Sequence, residues 1–129
     1  MGADMSERCW LVTGASTGFG RALVEEVASR GQRVVATVRR QEDADPLELL
    51  GDRVTATLLD VNQPEAEVIT IVDGAVAAMG GLDVVVNNAG YGLVGALEET
   101  SDDEARRQME TNFWGSAKVT KAALPHLRQ

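Results

Sequence analysis

Short apolar runs alternate with segments of helical periodicity from one end of the chain to the other, and few folds are compatible with that alternation. The apolar runs are rich in valine, which is typical of strands that are buried on both faces. They lie at residues 9–12, 33–38, 54–59 and 82–86. Strands that alternate with crossover helices form a parallel sheet with right-handed connections. The chain is therefore predicted to be an α/β protein with the order βαβαβαβα.

A helical segment is expected after each strand. The predicted helices span residues 21–30, 64–79 and 102–127, and residues 41–50 form either a short helix or a loop. Gly31 ends the first of these helices, and Pro64 suits the first turn of the second. Ser101 and Glu104 have the spacing of a capping box at the start of the last helix.

Size and charge narrow the class of protein. The chain has 129 residues, enough for one domain, which we place at residues 9–129 after a short polar extension at residues 1–8. Its 12 basic and 20 acidic residues give a net charge of −8. This charge argues against partners such as nucleic acid or an anionic membrane, although it is also the charge of an ordinary soluble protein.

Targeting and metal-binding signals are absent from the sequence. No run approaches the roughly 20 apolar residues of a membrane-spanning helix, and the start of the chain has no signal-peptide pattern, so a cytoplasmic location is expected. Cys9 is the only cysteine and His126 the only histidine, which leaves no disulfide, no Cys-His dyad and no metal cluster. Cys9 is interpreted as a small core residue, and His126 as a residue with a capping or dipole role near a helix C-terminus.

A glycine-rich loop follows the first strand and opens the first helix. Gly14 permits a tight turn, Gly18 lets backbone approach a pyrophosphate, and Gly20 permits close packing of the helix. Free N–H groups at the helix start would face the phosphates, and the hydroxyls of Ser16 and Thr17 could add donors. The spacing is neither the general Gly-x-Gly-x-x-Gly pattern nor a Walker loop, and a merely structural turn is the alternative.

The loop sequence Thr-Gly-Ala-Ser-Thr-Gly-Phe-Gly, residues 13–20, resembles the cofactor motif of the short-chain dehydrogenase/reductase family. Phe19 stands where that family more often has isoleucine. Three further matches occur in register: Asp60-Val61, the Asn-Asn-Ala-Gly motif at residues 87–90, and Asn112 in the last helix. The resemblance covers residues 10–128.

The resemblance implies a Rossmann-type parallel sheet with the strand order 3-2-1-4, bound to a nicotinamide dinucleotide. The cofactor-binding residues that it implies are Gly14, Ser16, Thr17, Gly18, Phe19, Gly20, Asp60, Val61, Asn88, Ala89 and Gly90. Asp60 and Val61 correspond to the pair that contacts the adenine ring. Asn112 corresponds to the catalytic asparagine, which in the family also bends its helix and bonds backbone groups, so its role here is either catalytic or structural.

The residues after the second strand indicate which nicotinamide cofactor is preferred. An NAD-selective site places an acid at the position of Val38, and the next residues are Arg39 and Arg40. A guanidinium can pair with the 2′-phosphate of NADP(H), so NADP(H) is preferred over NAD(H), with Arg39 as the first contact and Arg40 as support. The alternative is a solvated turn in which these arginines pair with Glu42 or Asp43.

The family's catalytic serine and Tyr-x-x-x-Lys pair have no match in this chain. Its only tyrosine, Tyr91, has Gly95 four positions later, and is better interpreted as lining the nicotinamide side of the cleft. We therefore expect the cofactor-binding half of an NADP(H)-dependent oxidoreductase for small alcohols or carbonyls, truncated before strand 5 and inactive by itself. The alternatives are a non-catalytic NADP-binding module, or a site that another chain completes.

Truncation at this point has structural consequences. The strand at residues 82–86 would have a bare apolar edge. Val119, Leu124 and Leu127 of the last helix would be partly exposed, on a helix that in the family often packs in a subunit interface. The chain is expected either to be marginally stable or to pair with another surface, for instance as a homo-oligomer through this helix.

Overall fold

Four parallel strands form one sheet in a computed structural model that describes residues 6–129. Residues 1–5 of the predicted extension lie outside the described part of the chain. The strands are β1 (Cys9–Val12), β2 (Arg33–Val38), β3 (Val54–Leu58) and β4 (Val84–Val86). Their order is β3-β2-β1-β4, which confirms the predicted α/β class and strand order.

Pairing of the strands brings their carboxyl ends to one edge of the sheet. Val12, the last residue of β1, is level with Ala36 of β2 and Val86 of β4, and Val38 is level with Leu58 of β3. The loops that follow the strands therefore meet at this edge, where parallel sheets commonly bind ligands.

The helices cover both faces of the sheet. They are α1 (Gly18–Ser29), α2 (Gln41–Glu48), α3 (Glu65–Met79), α4 (Asp102–Met109) and α5 (Ser116–Leu127). Helix α1 begins at Gly18 and not at the predicted Arg21, because the second half of the glycine loop forms its first turn. The uncertain segment after β2 is the helix α2.

Strand β4 is shorter than predicted, because Asp83 ends the ladder. The Asp83 carboxylate accepts a hydrogen bond from Cys9 N at 2.8 Å, and Asp83 N donates to Cys9 O at 2.9 Å. The regular pairing of β1 with β4 starts only at Trp10 and Val84. Strand β4 lies at the edge of the sheet, and its three valines are half-buried.

The predicted last helix is interrupted. A π-helical turn at Glu110–Gly115 separates α4 from α5, whereas the sequence indicated one continuous helix over residues 102–127. The predicted capping box at its start is confirmed. The Ser101 hydroxyl accepts from Glu104 N at 3.2 Å, and the Glu104 carboxylate accepts from Ser101 N at 2.9 Å. The hydrogen bonds that this carboxylate accepts from Ser101 N and, at 2.7 Å, from the Ser101 hydroxyl lower the pKa of Glu104.

The core consists of two apolar layers on opposite faces of the sheet. Helices α3 and α5 cover one layer, which includes Leu11, Val35, Val72 and Val119. Helices α1 and α2 cover the other. The expectation that Val119 is exposed was wrong, because α5 packs against α3 and buries it completely. Leu127 is exposed as expected, at 37%.

The other single residues have simple environments. Cys9 is half-buried against the core, and burial raises the pKa of its thiol. His126 lies in the last turn of α5, near the predicted helix C-terminus, and its ring pairs with Asp73 of α3, with 2.6 Å between Nε2 and Oδ1. No helix within residues 6–129 has the length and hydropathy needed to cross a membrane.

Candidate functional site

A cleft of about 700 Å³ lies at the carboxyl ends of the strands. The loops after all four strands and one face of the last helix contribute to its walls. The residues that line it are Gly14, Ser16, Thr17, Thr37, Val38, Arg39, Leu59, Asp60, Val61, Asn62, Asn88, Ala89, Gly90, Tyr91, Arg107, Glu110 and Thr111. Loops of four different strands thus form one concave surface of the size that small ligands occupy.

The loops after β1 and β4 are joined by the buried hydroxyl of Thr13. Its oxygen accepts hydrogen bonds from Asn88 N and Ala89 N, both at 3.0 Å. The Asn88 side chain donates in return to Gly14 O at 2.9 Å. The floor of the cleft is therefore fixed by polar contacts between two segments far apart in sequence.

Two glycines of the β1 loop are required by close approach. A Cβ on Gly14, whose φ is +62°, would lie 2.7 Å from Ala89 Cα. A Cβ on Gly20 would lie 2.4 Å from Asn88 Nδ2 and 2.5 Å from Gly14 O. Gly20 thus lets the start of α1 pack directly on the joined loops, where any side chain would separate them.

No side chain of the described residues 6–129 caps the N-terminus of α1. Its N-cap residue, Thr17, makes no side-chain capping bond, and its first turn contains no acid. The first turns of α2, α3 and α4 all contain acids. An α-helix leaves its first N–H groups unpaired and concentrates positive potential there. Because Ser16 and Thr17 line the cleft, this end of α1 is suited to an anion.

The two arginines after β2 have different environments. Arg40 pairs with Glu42 at 2.8 Å and with Asp43 at 2.9 Å, and the hydrogen bond that its guanidinium donates to Asp43 raises the pKa of Arg40. Arg39 lines the cleft. Among residues 6–129 no ion pair or hydrogen bond involves the Arg39 side chain. The predicted turn pairing thus occurs at Arg40 and leaves Arg39 available to a ligand.

The loop after β3 is attached to the π-helical turn. The side chains of Asn62 and Thr111 exchange hydrogen bonds, at 3.0 and 3.2 Å. A Cβ on Gly115 would lie 2.5 Å from Val61 Cγ2, so the turn packs tightly on Val61. Asp60 Oδ1 accepts from Asn62 N at 2.9 Å and shapes the loop itself.

Asn112, in the same π-helical turn, is bonded to the loop after β4. Its Oδ1 accepts from Tyr91 N at 3.0 Å, and its Nδ2 donates to Tyr91 O at 2.8 Å. A Cβ on Gly90 would lie 2.8 Å from Asn112 Oδ1. The side-chain amide is thus paired with backbone on both of its polar atoms. The π-helical turn supports both the β3 loop and the β4 loop.

Replacing Asn112 by alanine is expected to release the β4 loop. Tyr91 N would lose its partner and Tyr91 O would keep only the 3.3 Å bond from Gln108 Nε2, which should lower the free energy of unfolding by about 1–2 kcal/mol. Hydrogen exchange at Tyr91 N should accelerate, and urea unfolding measures the loss of stability. Asn87→Ala is the matched control, because Asn87 makes a single exposed bond, to Thr120. Unchanged exchange at Tyr91 N would show that the contact has no role in ordering the loop.

Most of the predicted site residues line the cleft together, and a few do not. Those that line it are Gly14, Ser16, Thr17, Arg39, Asp60, Val61, Asn88, Ala89 and Gly90. Those outside its lining are Gly18, Phe19 and Gly20 at the start of α1, the paired Arg40, and Asn112. Phe19 is exposed at 90%.

Sequence reasoning missed several residues that form the site. Thr13 joins two loops and belongs to the glycine-rich motif at residues 13–20, but it was not predicted as a site residue. Its position directly after an apolar strand was the signal that could have identified it. Asn62, Arg107, Glu110 and Thr111 reach the cleft only through the packing of the last helix on the β3 loop. The local sequence contains no signal for that packing.

The four-stranded parallel sheet, with a glycine-rich loop between β1 and the N-terminus of α1, defines a Rossmann-type dinucleotide-binding fold. Residues 8–129 match the family model described as short chain dehydrogenase. The chain belongs to the short-chain dehydrogenase family of oxidoreductases.

Similar proteins of known structure support this assignment. A short-chain dehydrogenase from Streptomyces avermitilis superposes with a TM-score of 0.89 at 43% identity, over 95% of this chain and 45% of its own. A 3-ketoacyl-(acyl-carrier-protein) reductase from Brucella melitensis, complexed with NADH, superposes with a TM-score of 0.86 at 31% identity, over 92% of this chain and 49% of its own.

Curated relatives are similar over nearly the whole chain. The oxidoreductase calM of Penicillium decumbens is 40% identical over 96% of this chain and 42% of its own length. The 3-ketodihydrosphingosine reductase of Bacteroides thetaiotaomicron is 36% identical over 97% of this chain and 44% of its own length. The chain therefore spans less than half the length of these relatives.

Proposed function

We propose that the cleft binds a nicotinamide dinucleotide, and that this chain is the cofactor-binding part of an oxidoreductase that transfers hydride between NADP(H) and a small alcohol or carbonyl compound. The observation that carries the proposal is the uncapped, acid-free N-terminus of α1 at the wall of the cleft. Family membership and the NADH complex of the Brucella reductase give further support.

The residues present fit such a cofactor. Gly18 has a φ of +59°, and a Cβ there would meet nothing within 4 Å, so backbone at this position is open to a ligand. The N–H groups at the start of α1 would hold the pyrophosphate, with the hydroxyls of Ser16 and Thr17 beside them. Asp60 and Val61 would hold the adenine.

The proposed preference for NADP(H) depends on Arg39. Val38 stands where an NAD-selective site has an acid, so nothing at this position would repel a 2′-phosphate. The nearby acids Glu42 and Asp43 are paired with Arg40 and do not neutralise Arg39. A guanidinium free to bind a phosphate oxygen provides a charge-assisted contact that NADH cannot make.

The bound cofactor would supply the hydride, and the protein must supply a proton at the substrate oxygen. The 129 residues contain no Tyr-x-x-x-Lys pair, and Tyr91 has its backbone bonded to Asn112. We expect the proton donor to come from residues other than these. This chain by itself is then expected to bind cofactor without turnover, and Asn112 would help to position the β4 loop beside the nicotinamide.

Replacing Arg39 by aspartate should reverse the cofactor preference. The variant would lose the contact to the 2′-phosphate and gain a partner for the 2′-hydroxyl of NADH, so NADPH affinity should fall by about 10- to 100-fold. Binding is measured by titrating NADPH and NADH with fluorescence detection. Arg40→Asp is the matched control, since Arg40 pairs with acids away from the cleft, and its preference should stay that of the wild type. If the wild-type chain bound NADPH and NADH with equal affinity, the proposed preference for NADP(H) would be refuted.

A non-catalytic NADP-binding module, in which the cleft binds the dinucleotide without a reaction, is the second candidate function. The parent reading frame separates the two. A continuation that contains a serine strand and a Tyr-x-x-x-Lys pair supports the enzyme. A stop codon after Gln129, with NADPH binding and no turnover of carbonyl compounds, supports the module.

A further inference from the structure

The ion pairs of the described chain leave few of its cations free. Most lysines and arginines pair with an acid, in keeping with the excess of 20 acidic over 12 basic residues. Within residues 6–129 the arginines without an ion-pair partner are Arg8, Arg39, Arg107 and Arg128. Arg8 and Arg128 lie near the ends of the chain, whereas Arg39 and Arg107 both line the cleft.

Arg107 lies in α4, which together with the π-helical turn forms one wall of the cleft. It lies one helical turn before Thr111, which also lines the cleft and bonds Asn62 of the β3 loop. Its neighbour Arg106 pairs with Asp102 at 2.7 Å and is absent from the lining. Two adjacent arginines thus have different environments.

The acid nearest to Arg107 along this wall is already paired. Glu110 lines the cleft three positions later, and its carboxylate accepts from Lys118 Nζ at 3.4 Å. Lys118 also donates to Gln63 O at 3.0 Å, which holds its ammonium group between the loop after β3 and the Glu110 carboxylate. Glu110 therefore has its own cation. Glu104, three positions before Arg107, interacts electrostatically with it, but its carboxylate accepts hydrogen bonds from Ser101, and no ion pair joins it to the guanidinium within residues 6–129.

We infer that Arg107 is a cofactor-binding residue that holds the adenine half of the dinucleotide. The inference rests on the proposed function. Through Thr111 and Asn62, Arg107 belongs to the same wall as Asp60 and Val61, the residues proposed to hold the adenine. A planar guanidinium binds the face of an aromatic ring by cation–π attraction and stacking. Arg39 discriminates between the cofactors, whereas Arg107 binds the part that they share.

The test is a titration of Arg107→Ala with NADPH, NADH and ADP-ribose, which lacks the nicotinamide. Loss of one cation–π contact should weaken all three ligands by the same factor, about three- to tenfold. Arg106→Ala is the matched control on the outer face of α4 and should bind all three like the wild type. Arg107→Lys, which keeps the charge without the planar group, should recover part of the affinity. Urea unfolding of each variant detects any loss of structure.

The outcomes separate this inference from the proposed function. Wild-type affinities for all three ligands in Arg107→Ala would overturn the role of Arg107 while leaving dinucleotide binding intact. A loss confined to NADPH would also overturn it, because Arg107 would then contact the 2′-phosphate. Failure of the wild-type chain to bind NADPH or NADH would overturn the proposed function itself.

Discussion

Gly20→Ala is expected to abolish dinucleotide binding and to lower the free energy of unfolding by about 3 kcal/mol. The added Cβ would lie 2.4 Å from Asn88 Nδ2 and 2.5 Å from Gly14 O. Because Gly14 O belongs to backbone that is itself packed on Ala89, the clash is relieved only if α1 moves away from the joined loops. That movement displaces the helix N-terminus proposed to hold the pyrophosphate. Urea unfolding and NADPH titration measure the two effects.

Gly74→Ala is the matched control for this substitution. Gly74 lies in α3, and a Cβ there would meet nothing within 4 Å. Since alanine is favoured over glycine in a helix by about 0.5–1 kcal/mol, this variant should be at least as stable as the wild type and should bind NADPH normally. A Gly20→Ala protein with wild-type stability and affinity would show that the close approach of α1 is not required.

Thr13→Val is expected to destabilise the chain by about 2–4 kcal/mol, because it keeps the shape of a buried side chain and removes its oxygen. Asn88 N and Ala89 N would each lose a 3.0 Å hydrogen bond, and Thr13 is 1% exposed, so water cannot replace the oxygen easily. The Asn-Asn-Ala-Gly loop should loosen. Cofactor affinity should therefore fall along with the midpoint of urea unfolding.

Two variants show whether the hydroxyl is responsible. Thr13→Ser retains the oxygen and should keep most of the stability. Thr57→Val, on β3, removes a hydroxyl that makes no hydrogen bond within the described residues, and should change stability little. If Thr13→Val and Thr57→Val had equal effects, the joining of the two loops by Thr13 would be refuted.

Strand positions were predictable from the sequence because each strand is a short run of apolar and β-branched residues with a clear boundary, whereas the strand order was implied by the resemblance to the family. The predicted bounds of β1 and β2 are those of the structure, Cys9–Val12 and Arg33–Val38. The start of β4 was not predictable, because it depends on the pairing of Asp83 with Cys9 across the sheet. Hydrophobic periodicity indicates which residues of one segment are buried. It does not indicate that the Asp83 carboxylate, instead of a backbone carbonyl of β4, accepts the hydrogen bond of Cys9 N.

The candidate site was predictable where it follows strand ends, and not where it depends on the last helix. Gly14, Asp60 and Ala89 come directly after strands, so topology alone places them at one edge. Arg107 and Thr111 sit in a polar helix whose exposed and cleft-facing positions look alike in sequence. Their positions depend on contacts of the π-helical turn with residues distant in the chain.

The π-helical turn at Glu110–Gly115 also sets the rotation of α5 about its axis relative to α4. A π-turn contains one residue more than the equivalent α-helical turn. If the same residues continued as a regular α-helix, the extra residue would rotate α5 by about 100° relative to α4. Val119 and Ala123, both fully buried, would then point away from the core. The π-helical turn thus lets α5 bury these residues one position later in the sequence than a continuous α-helix would.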